Sequence, residues 1–319
     1  MSDDRPTVTG LLAPLVDVTD RGVHEGDSFV SWRDHLRDGA RVAAALTARM
    51  DPAKPQHVGV MLGNTTFFSS VLVAAGLSGL VTVGLNPTRR GAAFARDVAR
   101  SDCQLVLTDD PAALNEAVPE GISVVNVESP SWAAEVATYR DAPVTFADTS
   151  PDDLFMLIFT SGTSGEPKAV RVTHDKVAFP GSMLAERFGL GAEDTFYLAM
   201  PLFHSNAIMA GWAVAVAAGG SIALRRKFSA SSSSPTYAAT APPTPTTSAS
   251  PCPTSWPPRP VTTTPTTPCG SCTATKAHRE TYRASRLGSA PMSSTASARR
   301  RAASPWPAHR TRPRAPWDR

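Results

Sequence analysis

The stretch Asp153–His174 reads DLFMLIFTSGTSGEPKAVRVTH and decides how the rest of the chain is interpreted. Its first part, LFMLIFT, is a continuous apolar run of strand length, which predicts a buried β-strand. Six small residues, Thr160–Gly165, begin with the last residue of this run, and four of them have hydroxyl groups; Lys168 comes directly after Pro167. A helix is predicted to begin after Thr173, a natural N-cap, and Pro180 is expected to keep that helix short.

The small residues after the strand suit the binding of a polyphosphate. Glycines let main-chain N–H groups approach an anion, hydroxyl groups add donors, and a lysine adds a movable positive charge. The alternative interpretation is a Ser/Gly-rich surface loop. The stretch is not a Walker loop, because no Gly-Lys-Ser/Thr run opens a helix.

Apolar runs of strand length recur earlier in the chain and alternate with helical patterns. In chain order, the predicted elements are a strand that enters a helix within Ser28–His35, a helix at Arg37–Met50, a strand at His57–Leu62, a helix with Asn64 as its N-cap, a strand in VTVGLNP that stops at Pro87, a helix at Arg90–Arg100 and a strand in CQLVLTDD from Cys103. This alternation, with fully apolar strands, predicts an α/β fold built on a parallel sheet.

The composition changes abruptly after the first 231 residues. Residues 1–231 carry 19 Lys+Arg and 26 Asp+Glu, a net charge of −7, whereas residues 232–319 carry 12 and 2, a net charge of +10. The second part holds 16 of the 29 prolines, and its only aliphatic residues beyond alanine are Val261, Leu287 and Met292. Such a segment buries too little apolar surface to offset chain entropy, so it is expected to be disordered.

Neither a signal peptide nor a transmembrane segment is predicted. The N-terminal MSDDRPTVTG is acidic and polar, and the apolar run Ala207–Leu224 is broken by glycines, so that a helix, a turn and a strand explain it better than a membrane span. Cys103, the only cysteine of residues 1–231, is expected in a buried strand. These features predict a cytoplasmic protein in a reducing compartment.

Three segments together resemble the superfamily of AMP-forming acyl-CoA synthetases and other adenylate-forming enzymes. FTSGTSGEPKAV resembles its phosphate-loop signature Thr-Ser-Gly-Thr-Thr-Gly-x-Pro-Lys-Gly, with Ser164 and Ala169 replacing a Thr and a Gly. MPLFHSNAIMAGW, at Met200–Trp212, resembles its Pro-x-Phe-His segment near the acyl pocket. The third is an early strand–helix–strand region ending in Leu-Asn-Pro. The resemblance covers most of residues 20–228, and its early segments look most like fatty-acyl-CoA ligases.

The resemblance implies both a fold and a reaction. Residues 1–231 would form an incomplete AMP-binding (adenylation) domain, the N-terminal part of the large domain, with mostly parallel sheets flanked by helices; residues 232–319 would form a disordered tail. The reaction would activate a carboxylic acid, with a fatty acid favoured, to an acyl-adenylate and then to an acyl-CoA. ATP, Mg²⁺ and coenzyme A would take part. No metal ligand is identified, and the oligomeric state stays open.

The resemblance also implies roles for individual residues. The β- and γ-phosphates of ATP would be held by Thr160, Ser161, Gly162, Thr163, Ser164, Gly165 and Lys168. His204 would lie near the carboxylate or the acyl tunnel, and the alternative for it is a capped or packed loop histidine. Lys168 and His204 are therefore the candidate catalytic residues, whereas Phe203 and Trp212 are expected to form walls of the pocket or core.

The superfamily's later elements cannot be read after Ser231. Missing are a Gly-Ser-Thr-Glu segment whose acid serves Mg²⁺, an Asp for the ribose and a C-terminal domain with a catalytic Lys. When the third base of each codon is joined to the first two of the next, Pro235–Thr244 permits DVRRYGATY and Ser294–Ala303 permits DGFGSTEGG, both like the expected continuation. A single slip of the reading frame near Ser231 is inferred, which predicts that this chain is truncated and inactive.

Two other hypotheses remain open at the level of sequence. The chain could be a non-catalytic remnant that binds nucleotide or nothing, or a binding protein whose basic tail docks on a polyanion. The arginines near Ala298–Arg301 would bind polyanions weakly and without specificity, so no specific nucleic-acid partner is predicted. The CGSC motif at Cys269–Cys272 is weak as a metal or redox site in a Pro/Thr-rich segment.

Overall fold

The computed structural model describes residues 5–114, 118–160 and 167–226. The predicted tail, 232–319, and the loop residues Ser161–Gly165 lie outside this range. The helices in it are α1 Val8–Leu12, α2 Trp32–Arg49, α3 Thr66–Ser78, α4 Gly91–Arg100, α5 Pro130–Thr138, α6 His174–Phe188, α7 Ser205–Ala207 and α8 Ala213–Ala218, with 3₁₀ turns at Ala13–Leu15 and Pro111–Leu114 and a π-helical turn at Ile208–Trp212. The strands are β1 Gly22–Glu25, β2 Ser28–Ser31, β3 His57–Met61, β4 Val81–Gly84, β5 Cys103–Thr108, β6 Ser123–Asn126, β7 Leu154–Thr160, β8 Lys168–Thr173, β9 Thr195–Leu198 and β10 Ser221–Leu224.

The strands form two sheets within the described part of the chain. One has the order β6-β5-β3-β4-β7-β8, and the other has the order β2-β1-β10-β9. Neighbours are parallel except at β7–β8 and β1–β2, which are antiparallel. The prediction of an α/β fold with mostly parallel sheets is confirmed.

Helix α3 begins one residue later than the sequence suggests. The predicted N-cap, Asn64, is wrong: the side chain of Thr65 accepts the hydrogen bond from the amide of Phe68. The Asn64 side chain instead bonds to main-chain groups just beyond the ends of β9 and β10, more than 130 residues further along the chain. Local sequence favours either residue as a cap, and these long-range partners decide between them.

Helix α6 is longer than Pro180 suggests. Its N-cap is Thr173 as predicted, but the helix continues through Pro180 to Phe188 over 15 residues. Its inner face packs against α8, where Gly181 lies so close that a Cβ on it would stand 2.7 Å from the carbonyl oxygen of Ala213. The burial of this face outweighs the one hydrogen bond that proline cannot donate.

The contact between α6 and α8 generates a test of stability. Gly181→Ala is expected to lower the free energy of unfolding by about 1–3 kcal/mol, because the added methyl group overlaps the backbone of Ala213. The measurement is urea unfolding followed by circular dichroism. Gly191→Ala is the matched control, since a Cβ at Gly191 meets open space. Equal midpoints for the two variants would contradict the close packing of these helices.

Candidate active site

The candidate site lies where strands β4 and β7 end, side by side and parallel. Gly84 of β4 pairs with Ile158 of β7, and β7 continues for two more residues to Thr160. The sequence did not predict β8, which returns antiparallel to β7 and pairs Lys168 directly with Thr160. The phosphate-loop segment therefore connects the two strands of a hairpin at the carboxyl edge of the parallel strands, where ligands of open α/β sheets bind.

The two described residues that flank the loop are placed together. Directly opposed residues of an antiparallel pair project their side chains from the same face, so the Thr160 hydroxyl and the Lys168 ammonium group lie on one side of the hairpin. Both residues are exposed. On the loop's return side, a guanidinium N–H of Arg100 donates to the carbonyl oxygen of Pro167 at 3.4 Å. Cationic and hydroxyl donors at this edge suit an anionic ligand.

His204 reaches the same edge of the sheet on a tight turn. The amide of His204 donates to the carbonyl oxygen of Pro201 at 3.0 Å. Phe203 is buried, and its Cα lies 3.2 Å from the position that a Cβ of Gly84 would occupy. The His204 ring is exposed on the surface of this turn, 4.2 Å from the Phe203 ring, and partial burial lowers its pKa below the ordinary value.

The Leu-Asn-Pro segment forms the turn that follows β4. Leu85 is buried, whereas the side-chain oxygen of Asn86 accepts hydrogen bonds from the amide and the hydroxyl of Thr88. Beyond this turn, Arg89 forms an ion pair with the buried Asp97 at 2.5 Å. The three segments that carried the sequence resemblance thus meet at neighbouring strand ends.

A buried chain of hydrogen bonds supports the helix that follows His204. The indole N–H of Trp212, in the π-helical turn, donates to the hydroxyl of Ser69 at 2.9 Å, and this hydroxyl lies 2.9 Å from Nε2 of His35. The hydroxyl of Ser70 donates to the carbonyl oxygen of Thr66, so it can only accept from His35 Nδ1–H. These hydrogen bonds indicate a neutral His35 ring that carries its proton on Nδ1. Burial lowers the pKa of His35 to about 4.

Other titratable groups in the described residues do not form a catalytic cluster. No group of three His, Cys, Asp or Glu side chains there could hold a metal ion. Cys103 is buried in β5 as predicted, and burial raises its pKa to about 12, which leaves it an unreactive thiol. His174 is buried against Phe155, and neither of its ring nitrogens has a hydrogen-bond partner among described residues.

The sequence indicates the loop and His204 as candidates but does not predict two other structural features, strand β8 and the contacts of Asn64. The sequence of β8, KAVRVT, alternates between polar and apolar residues, a pattern that indicates a strand. The assignment of Lys168 to the loop conceals this pattern. Asn64 gave no local signal of its role, because its partners come from distant parts of the chain. Of the predicted phosphate-binding residues, the structure describes Thr160 and Lys168. Within the described ranges, no helix has both the length and the apolar character to cross a membrane.

Comparison with solved structures defines the class of fold. The ATP-bound MatB from Rhodopseudomonas palustris superposes with a TM-score of 0.62 at 21% sequence identity, over 69% of this chain and 46% of that one. This fold is that of adenylate-forming enzymes. A sequence profile described as AMP-binding enzyme matches residues 15–297, and the chain belongs to this AMP-binding enzyme family.

Two curated relatives share a long stretch with the chain. The medium/long-chain-fatty-acid–CoA ligase FadD17 of Mycobacterium tuberculosis is 60% identical over 231 residues, which are 72% of this chain and 45% of that protein. The steroid-22-oyl-CoA synthetase of Rhodococcus jostii is 37% identical over 238 residues, which cover 72% of this chain and 42% of that protein. The chain therefore spans less than half the length of these relatives.

The buried His35 predicts a pH dependence of stability. Its folded pKa of about 4 lies below the ordinary histidine pKa of 6.5, so between these values the unfolded state binds more protons and stability falls as the pH falls. His35→Gln, which keeps an amide near Ser69, should reduce the slope of unfolding free energy against pH by up to about 1.4 kcal/mol per pH unit in this window. Urea unfolding at a series of pH values measures it. Parallel curves for the two proteins would show that His35 does not titrate on unfolding.

Proposed function

We propose that residues 1–231 belong to a ligase that activates a carboxylic acid with ATP and transfers the acyl group to coenzyme A. The observation that carries the proposal is the meeting of the β7–β8 hairpin and the His204 turn at the carboxyl ends of β4 and β7. Membership of the AMP-binding enzyme family supports it. The names of both curated relatives, a fatty-acid–CoA ligase and a steroid-22-oyl-CoA synthetase, agree with acyl-CoA formation.

In this proposal, the hairpin binds the polyphosphate of ATP. Lys168 supplies a positive charge and Thr160 a hydroxyl donor on the same face of the hairpin, and Ser161–Gly165 would complete the cradle. ATP, when bound, supplies an α-phosphorus that a carboxylate can attack, with pyrophosphate as the leaving group. Donors that bind the charge of the departing pyrophosphate more tightly in the transition state than in the ground state would accelerate this step.

His204 is proposed to orient the carboxylate. Its ring lies on the exposed side of the Pro201–His204 turn, while the adjacent Phe203 is buried against β4. Because partial burial lowers the pKa of His204, the ring is neutral at physiological pH and can donate one hydrogen bond to a carboxylate oxygen. Holding the acid and ATP at one edge of the sheet would lower the entropy of their alignment.

A fatty acid is the proposed substrate class, because the relative with 60% identity is named for medium- and long-chain fatty acids. Mg²⁺ is a proposed cofactor and coenzyme A a co-substrate, but no described residue is assigned to either. We further propose that residues 232–319 do not continue the ligase domain in this reading frame, although the family profile match extends to residue 297, and that the 319-residue chain does not catalyse the full reaction. A cytoplasmic location remains a prediction.

The phosphate-binding role proposed for Lys168 is tested in the protein expressed from a gene whose reading frame is restored after the codon for residue 231. Lys168→Ala should lower carboxylic-acid-dependent ATP–pyrophosphate exchange by about 10²- to 10³-fold, as expected when one charge-stabilising donor is lost. The fold should remain intact, since Lys168 is exposed. Octanoate, palmitate and a steroid carboxylic acid serve as test acids.

Lys176→Ala is the matched control for this experiment. Lys176, in the first turn of α6, is also exposed. Its ammonium group donates to the carbonyl oxygen of Arg171 in β8. Its removal should leave the exchange rate unchanged. Unchanged exchange in Lys168→Ala would remove the phosphate-binding assignment, and no exchange with any acid in the unsubstituted protein would contradict the proposed activity.

A further inference from the structure

The side chain of Asn64 links the end of one sheet to the end of the other. Asn64 follows β3 and is 4% exposed. Its Oδ1 accepts from the amide of Leu202 at 2.8 Å, and its Nδ2 donates to the carbonyl oxygens of Met200 at 2.9 Å and Arg225 at 3.2 Å. Its Nδ2 also lies 3.5 Å from the carbonyl oxygen of Leu198, so one carboxamide contacts four main-chain groups where β9 and β10 end.

These bonds begin where the regular pairing of β9 and β10 stops. The amide of Arg225 still donates to the carbonyl oxygen of Leu198 at 2.9 Å. The carbonyl oxygens of Met200 and Arg225, beyond the ends of the two strands, accept hydrogen bonds from Nδ2 of Asn64. An amide side chain has the donor and acceptor spacing of a peptide group, so Asn64 continues the hydrogen bonding across the gap between the sheets.

The segment that Asn64 binds is the one that presents His204. Two of its four main-chain partners, Met200 and Leu202, lie within four residues of His204, and the Pro201–His204 turn begins between them. The other side of this segment is set by Gly84, whose missing side chain leaves room for the Phe203 backbone. The segment is therefore fixed from two sides.

The ring of His204 has little support of its own. Among the described residues, its side chain makes no hydrogen bond, and its one ring contact is with Phe203 at 4.2 Å. The direction of the ring consequently depends on where the backbone of the turn lies.

We propose that Asn64 is a positioning residue, which fixes the Met200–His204 segment so that the His204 ring faces the carboxyl edge of β4 and β7. The inference rests on the proposed function, in which His204 orients the carboxylate. Asn64 does not itself touch substrate in this proposal. It acts only through the main-chain groups of Met200 and Leu202.

Asn64→Asp is the sharpest substitution, because it changes one atom of the side chain. The carboxylate can still accept from the amide of Leu202, but it cannot donate to Met200 and Arg225, and its charge lies beside their carbonyl oxygens. Asn64→Ser shortens the side chain so that it no longer reaches these main-chain groups, and it adds no charge. Thr65→Ala is the control: it removes the N-cap of α3 next to Asn64 at a typical cost of about 1 kcal/mol and leaves the Met200–His204 contacts in place.

The test is NMR of the histidine rings of the 319-residue chain, with the His204 resonance assigned by His204→Gln. The Phe203 ring shifts this resonance, so a displaced turn moves it. The chemical shift of His204 should move toward the value of a free histidine in Asn64→Asp and Asn64→Ser. It should stay unchanged in Thr65→Ala. An unmoved resonance in folded Asn64 variants would overturn the proposal.

Two further measurements complete the test. In the unsubstituted chain, the amide of Leu202 should exchange slowly with solvent deuterium; fast exchange would overturn the proposal even if the Asn64 variants do not fold. Addition of ATP and octanoate to the protein with the restored reading frame then tests the contact proposed for His204 separately. If octanoate leaves the His204 resonance unmoved while the Asn64 variants move it, the positioning role stands and the carboxylate contact proposed for His204 fails.

Discussion

The geometry proposed for the candidate site depends on a single buried amide, the side chain of Asn64, which joins the ends of two mostly parallel sheets. A buried amide without partners is costly, whereas one with every partner in place specifies a single arrangement. Because its partners are main-chain groups beyond β9 and β10, the arrangement of the second sheet is transmitted to the turn that carries His204. His204, near the carboxyl ends of β4 and β7, therefore belongs to a segment that lies outside both sheets.

The core around this junction follows from elementary sequence patterns. Strands β3, β4 and β5 are continuous apolar runs because helices cover them on both faces, and their patterns predict them directly. The loop after β7 and His204 were also identified from the sequence, since their residue types resemble those of a known superfamily. The mostly parallel α/β architecture was predictable to this extent.

The parts that sequence did not predict depend on distant contacts. The passage of α6 through Pro180 is set by packing against α8, and the choice of Thr65 over Asn64 as N-cap is set by carbonyl groups more than 130 residues away. Strand β8 exists because β7 offers it an edge. In each case the local sequence allows two outcomes, and tertiary contacts select one.

The described body has the fold and the family membership of an adenylate-forming enzyme, while the composition after residue 231 is that of a different kind of polypeptide. We propose, as the central claim, that both parts come from one gene of this family read in two frames. The direct measurement is the DNA sequence of the gene from the codon for Arg225 through that for Ala303. The expected result is an open overlapping frame that encodes DVRRYGATY and later DGFGSTEGG. Stop codons in that frame, or an unrelated sequence, would contradict the claim.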